Sequence, residues 1–370
     1  MANKKLRVAI VCDWLIGGGA ERVVLELHRL YPEAPIYTSY CTAEWRQKFD
    51  GKVMTGYLQH WPFSRLRKFI PMLRVHWFSH LRLDGYDLVI SSSGAEAKAV
   101  LTHSQTIHIC YCLAPTHYYW SRYEQYMQSP GFGAFNWLAR LGLRLLISPM
   151  RRWDKRAAQR PDYMIAISSH IQKEIKKYYG RDSVIIHPPV ETRRFRAIKD
   201  NGKRGGFVAA GRQTAYKRID LAVAACTQLN VPLTVIGNGP EHVRLVKIAG
   251  PTISFQTSTS DNEVVKYFQQ AEAFIFPGLD DFGIVAVEAM AAGMPVIAYQ
   301  DGGALDYVIP GKTGEFFARQ TVESLTGILK NFDETAYSES AVQHQASRFD
   351  TAHFRQALQD YITKVLKARS

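Results

Sequence analysis

A chain of 370 residues exceeds the usual single-domain range, so two domains are expected. Its composition, 46% hydrophobic and 21% charged, is that of an ordinary globular protein and excludes low-complexity and solenoid-repeat architectures. The formal charge is +13, and residues 1–160 alone hold about 22 Lys and Arg against about 11 Asp and Glu, so the first half carries nearly all the excess.

A basic half suits nucleic acid, anionic lipid or a phosphorylated substrate, and no familiar nucleic-acid motif accompanies it. The start, Met1 to Arg7, runs directly into an apolar strand expected at Arg7–Asp13. That run is too short for a signal peptide's core, and no span approaches transmembrane length. Gly17-Gly18-Gly19-Ala20-Glu21-Arg22 then opens a helix expected over Ala20–Leu30. Glycines at such a turn let backbone approach a ligand and leave helix N–H groups aimed at it. The full dinucleotide fingerprint is missing, which argues against NAD.

Further strands are expected at Asp87–Ser91, Ile107–Cys112 and Tyr163–Ile167, with helices at Ser148–Arg160 and His170–Tyr179. Two segments, His60–Arg74 and Phe132–Arg156, interleave bases with large apolar side chains, a pattern that suits an anionic membrane surface or the solvated face of a core helix. A strand ending in Pro188-Pro189 cannot continue, and the charged run Ile198–Gly206 is the expected linker. The five cysteines lie mostly in apolar runs with no metal or redox spacing, as in a reduced cytosolic protein.

The second half restarts the alternation. Strands are expected at Gly206–Ala210, Leu233–Ile236, Ile253–Phe255, Ala273–Phe276 and Pro295–Tyr299, with helices Arg218–Gln228, Glu241–Ile248, Asp261–Gln270 and Ile284–Ala292 between them. Two βα domains imply parallel sheets with ligands bound beyond the strands' carboxyl ends. Arg212 and Lys217 flank a loop after the first of these strands, placed to hold a diphosphate with a fork and a point charge. Asp280 and Glu288 lie eight apart around a turn and a short apolar helix. Carboxylates grip hydroxyls and a helix N-terminus grips phosphate, so the stretch predicts a nucleotide sugar. Helix capping within a plain packing unit is the alternative.

The stretch Phe276–Ala298 resembles the acidic signature of glycosyltransferase family 4, through Phe282-Gly283 and Glu288-Ala289-Met290-Ala291-Ala292-Gly293. The first acid departs from the pattern, since Asp280 stands where a glutamate is usual. Gly17–Arg22 and Tyr216-Lys217-Arg218-Ile219-Asp220-Leu221-Ala222 match two more of its motifs. The resemblance spans nearly the whole chain and leans toward mannosyltransferases of O-antigen and exopolysaccharide assembly.

It implies the α/β GT-B fold, two Rossmann-like domains facing across a cleft. Residues 1–197 would bind acceptor, 198–346 would bind donor, and a helix in 347–370 would cross back to the first domain. It implies a retaining transferase working without a metal or other cofactor on a GDP-mannose-like donor and a lipid-linked acceptor, at the inner face of the cytoplasmic membrane. Arg212 and Lys217 would hold the diphosphate, Glu288 the ribose and Asp280 the sugar. Gly18, Gly19 and the backbone at Phe282, Gly283 and Ile284 would approach sugar and phosphate. Leu113 stands where the family places a sugar-contacting histidine, and His117 could substitute for it. Leu113 and Asp280 together imply an altered sugar pocket, either for a 6-deoxyhexose or pentose donor or with reduced catalysis. A nucleotide-sugar-binding membrane protein, or another GT-B enzyme such as an epimerase, is the alternative.

Overall fold

A computed structural model describes residues 6–67, 69–128, 133, 136–196 and 204–369. They fall into two units: Met1–His187 with Arg355–Ser370, and Pro188–Phe354.

In the first unit the apolar runs become seven parallel strands: β1 (Val8–Cys12), β2 (Ile36–Thr38), β3 (Val53–Met54), β4 (Leu88–Ser93), β5 (Ile107–Cys112), β6 (Tyr163–Ala166) and β7 (Val184–Ile185). Their order is β3-β2-β1-β4-β5-β6-β7. Strands β1, β4 and β5 are buried along their whole length, because helices cover both faces of such a sheet. Pairing of Cys12 with Ser92, and of Ser93 with Cys112, sets the register. The residues that follow these strands, Asp13, Gly94 and Leu113, therefore emerge side by side at one edge.

The second unit has six parallel strands: β8 (Phe207–Ala210), β9 (Leu233–Ile236), β10 (Ile253–Gln256), β11 (Ala273–Phe276), β12 (Val296–Tyr299) and β13 (Gly314–Phe317), in the order β10-β9-β8-β11-β12-β13. Val223, Val235, Ile275, Ile297 and Leu325 form part of its core. Each such side chain contributes about 1.5–3 kcal/mol of burial free energy.

The expected elements depart from the structure in three places. The second unit begins at Pro188 rather than 198, because Phe195 stacks on Phe268 and Val190 bridges Asp350. Residues 198–203 of the expected linker lie outside the described residues. The helix expected from Ser148 runs over Asn136–Ala157. The last helix, Thr351–Arg369, counts with the first unit only from Arg355. There Arg355 Nε lies 3.0 Å from the buried Glu26 carboxylate, and Tyr361 meets Tyr163 edge-on.

Candidate active site

In the second unit, strand β8 runs into Gly211-Arg212-Gln213. The buried Gln213 amide donates to the Gly237 carbonyl at 2.6 Å, and the Gln213 backbone accepts from Glu241 N at 3.0 Å. A Cβ at Gly237 would stand 2.4 Å from the Gly211 carbonyl, so the close approach of these loops requires glycine there. The Arg212 side chain is exposed at the tip and has no partner among the described residues. A single turn over Ala215–Lys217 follows, closed by Arg218 at a left-handed φ of 49°.

That turn aims Lys217 at the acidic stretch, where its ammonium donates to the Asp280 carboxylate. The approach is set by small residues. A Cβ at Gly278 would lie 2.9 Å from Lys217 Cα, and one at Gly302 would lie 2.6 Å from the Asp280 carbonyl. Gly303 N also donates to that carbonyl, at 2.9 Å. Gly283, at φ 93°, starts the helix Ile284–Ala291, and no side chain caps it; Ala286 N donates back to the Gly283 carbonyl at 3.0 Å, which leaves the N–H groups of Ile284 and Val285 for an anion. Phe282 is a core ring packed edge-on against Tyr307 at 5.5 Å, which leaves only its backbone for ligand. Glu288, one turn into the helix, is buried. The structure thus brings Lys217 and Asp280 into contact and leaves Arg212 outside that pair. Asp280, expected to grip a sugar, is already held by a cation.

Gly283→Ala is expected to distort this corner. The new Cβ would meet the Phe276 ring at 2.5 Å and Tyr307 Oη at 2.7 Å, in a conformation that non-glycine residues avoid. Nucleoside-diphosphate affinity should fall at least about tenfold, roughly 1.4 kcal/mol, by calorimetric titration. An unchanged affinity would remove this turn from the binding site.

In the first unit Gly18 and Gly19 are exposed beyond β1, before and at the start of the helix Gly19–Leu30. The buried Glu21 carboxylate accepts from Ile16 N at 3.1 Å and Gly17 N at 3.0 Å, fixing the glycine turn. Leu113 N donates to the Ser93 carbonyl at 2.9 Å, and the Leu113 side chain lies beside Gly94. His117 pairs with Ser121 at 2.9 Å.

Sequence reasoning missed a set of buried charges next to these loops. Asp13 accepts from Gly94 N at 2.7 Å, Ala95 N at 3.0 Å and Ala97 N at 2.7 Å, tying the loop after β4 to the end of β1. Arg74 makes a two-pronged contact with Glu96 at 2.9 and 3.0 Å. Lys98 reaches Asp154 at 2.8 Å and Thr116 at 3.2 Å. Asp154 also accepts from Trp120 at 2.7 Å and Tyr179 at 2.8 Å. Charges alternating with small residues straight after a buried strand, Ala95-Glu96-Ala97-Lys98-Ala99, were the available signal.

Burial, and then the nearby Glu96 charge, pushes the Asp13 carboxyl up to about 6, against the Ala97 and Gly94 N–H groups and Lys98. A carboxyl raised on folding stabilises the fold below its unfolded pKa and loses that stabilisation as pH rises through the folded value. Wild type should therefore lose stability relative to Asp13→Asn between about pH 4 and 6, by up to about 3 kcal/mol. Paired urea titrations across that range check it; a constant difference would mean an ordinary Asp13 pKa.

Among the described residues no group of three or more His, Cys, Asp or Glu is placed to hold a metal ion. No described helix is long and apolar enough to cross a membrane.

Two parallel α/β units, the second with a basic loop paired to an acidic helix corner, define the GT-B class. The chain belongs to glycosyltransferase family 4. The model of that family, Glycosyltransferase Family 4, matches residues 17–194, and the model for Glycosyl transferases group 1 matches residues 190–341. A GDP-mannose-dependent alpha-(1-6)-phosphatidylinositol monomannoside mannosyltransferase of Mycolicibacterium smegmatis is 27% identical over 202 residues, 46% of this chain and 53% of that protein. The chain spans about half the length of the curated relatives it matches (53%, 53% and 50% for three of them). The crystal structure of Anabaena Alr3699/HepE in complex with UDP is similar at TM-score 0.70 and 16% identity, covering 97% of this chain and 100% of that one. Its complex with UDP-glucose gives 0.69 and 17%, with the same coverage.

Proposed function

We propose that this protein transfers a sugar from a nucleoside-diphosphate sugar to a lipid-linked saccharide in cell-envelope polysaccharide assembly, with retention at the anomeric carbon. The observation that carries the reading is the Lys217–Asp280 pair at the uncapped start of the helix bearing Glu288. Without ligand the two charges neutralise each other. A diphosphate arriving at the helix N-terminus would draw Lys217 toward its leaving oxygen and free Asp280 for the sugar's hydroxyls. The exposed Arg212 fork would close on the same phosphates, and Glu288 would take the ribose. Charge stabilisation of this kind is the largest single contribution in many transferases. The bond from the anomeric carbon to the diphosphate oxygen breaks as the bond to the acceptor oxygen forms on the same face, and the acceptor's hydroxyl proton passes to the departing diphosphate, without a protein nucleophile or a metal.

The donor is GDP-mannose-like, or lacks a C6 hydroxyl. Leu113, beside Gly94 at the end of β5, offers an apolar contact where a hydrogen bond would serve a C6 hydroxyl. The M. smegmatis relative is named for GDP-mannose and a phosphatidylinositol mannoside, which supports a lipid-borne acceptor. Exposed Trp61, Phe69 and Trp137 on the first unit favour peripheral attachment to the inner face of the cytoplasmic membrane. Two bases of the 60–74 segment do not take part in that face. Arg67 lies over the Tyr40 ring at 3.9 Å, and Arg74 is paired to Glu96. Lys68 and Phe132 of the two segments lie outside the described residues.

The test is a donor panel with mass detection, a lipid extract as acceptor, and NMR of the product's anomeric configuration. Acceptor-dependent release of nucleoside diphosphate with a retained product supports the reading. Nucleotide binding without turnover of any donor would make the protein a binding module instead.

A further inference from the structure

The helix Asn136–Ala157 changes character along one face. Trp137, Leu141 and Leu145 follow at four-residue steps, so they share one side, and they are 61%, 47% and 69% exposed. No side chain from 136 to 149 is buried. The same helical geometry brings Arg152, Lys155 and Arg156 onto that side, with Arg152 about 10 Å beyond Leu145. All three are exposed and none meets a carboxylate among the described residues. With Pro149, Gln159 and Tyr179 they line a groove of about 830 Å³. One wall is fixed, since Tyr179 donates to the buried Asp154 at 2.8 Å.

Three cations within about one helical turn repel one another until an anion joins them. The shape of the groove narrows the choice of anion. A flat phospholipid surface meets the exposed ends of these side chains but does not fill a concavity, whereas 830 Å³ is within the range of small-ligand sites. A second copy of this chain is disfavoured, because its net charge is also +13. Guanidinium forks suit phosphate oxygens, and three cations match a diphosphate better than one phosphate. The apolar half of the stripe then offers about 22 Å of helix from Trp137 to Arg152 for a hydrocarbon chain.

We propose that this groove binds the diphosphate head of a single lipid whose chain lies along Leu145, Leu141 and Trp137. The proposal rests on the reading above that the acceptor is lipid-linked, and it assigns that acceptor's anchor to residues of the first unit.

The experiment uses the full chain and neutral phosphatidylcholine vesicles. One set carries a long-chain prenyl diphosphate, the other phosphatidylglycerol at matched negative charge. Flotation should show at least tenfold tighter binding to the diphosphate set, reversed by inorganic pyrophosphate. R152Q/K155Q/R156Q should abolish the preference. L141S/L145S should weaken binding to both vesicles yet keep pyrophosphate binding in solution. Equal binding to the two sets, or a preference that survives the triple substitution, overturns the proposal. Nucleoside-diphosphate affinity is measured in parallel. Its absence in wild type would count against the transferase reading, while its retention in both variants shows that they are folded.

Discussion

Lys217→Ala is expected to lower kcat by about 10²–10³, the usual loss when one preorganised donor to a developing anion is removed. The ammonium rests on Asp280, so it already stands at the acidic corner before a diphosphate draws it off that carboxylate. Lys217→Arg keeps the charge but replaces a point with a planar fork, and should recover only part of the rate. Stability discriminates a chemical role from a structural one. The Lys217 and Asp280 side chains are only 17% and 12% exposed, so the pair lies between an exposed one, worth about 0–1 kcal/mol, and a fully buried one, which costs about 3–5 kcal/mol to break. Lys217→Ala should therefore melt several degrees below wild type yet stay folded at the assay temperature while turnover collapses. A kcat within threefold of wild type would place Lys217 outside the chemistry.

Lys98→Met should have the opposite profile, with a large loss of stability. Burial alone would lower the pKa of the Lys98 ammonium, but the Asp154 carboxylate outweighs it and the net shift is upward. Both side chains are fully buried. Removing the lysine leaves Asp154 charged in the interior, with Thr116, Trp120 and Tyr179 as its remaining donors. Breaking one side of such a pair costs about 3–5 kcal/mol, or roughly 10 °C in a domain of this size. The double substitution Lys98→Met/Asp154→Leu removes both charges and should regain much of the loss, because a well-packed apolar pair often replaces a buried ion pair without penalty. Urea midpoints of the two single variants and the double variant decide the matter. Single variants within about 1 kcal/mol of wild type would mean that water or a rearrangement satisfies the survivor.

The central strands were legible because parallel strands buried on both faces read as unbroken apolar runs. Val8–Cys12 and Ala273–Phe276 are examples. Ile36–Thr38 and Val53–Met54 are too short to show any period. Gly314–Phe317 was not among the expected strands, because four residues opening on a glycine show no clear period. Helix Asn136–Ala157 was read from Ser148 onward because its first half buries nothing and so lacks a core-facing stripe. At the site, the spacing of Asp280 and Glu288 and the Arg212–Lys217 loop could be read locally. The contact between Lys217 and Asp280 could not, since the two lie 63 residues apart and only the order of β8 and β11 in the sheet makes them neighbours. Asp13, Glu96, Lys98 and Asp154 are scattered in the same way, and each alone looks like a surface charge.

The return of Arg355–Ser370 to the first unit has a consequence for how the protein is made. Glu26 is buried, and of the cations that meet it Arg29 is three residues away, while Arg355 lies on the far side of the whole second unit in sequence. During vectorial synthesis the first unit leaves the ribosome early but lacks Arg355, Tyr361 and Arg369 until the whole second unit has been translated. The unit that emerges first is thus completed only after the second. A nascent chain stalled within the second unit should present an unfinished first unit to chaperones and proteases.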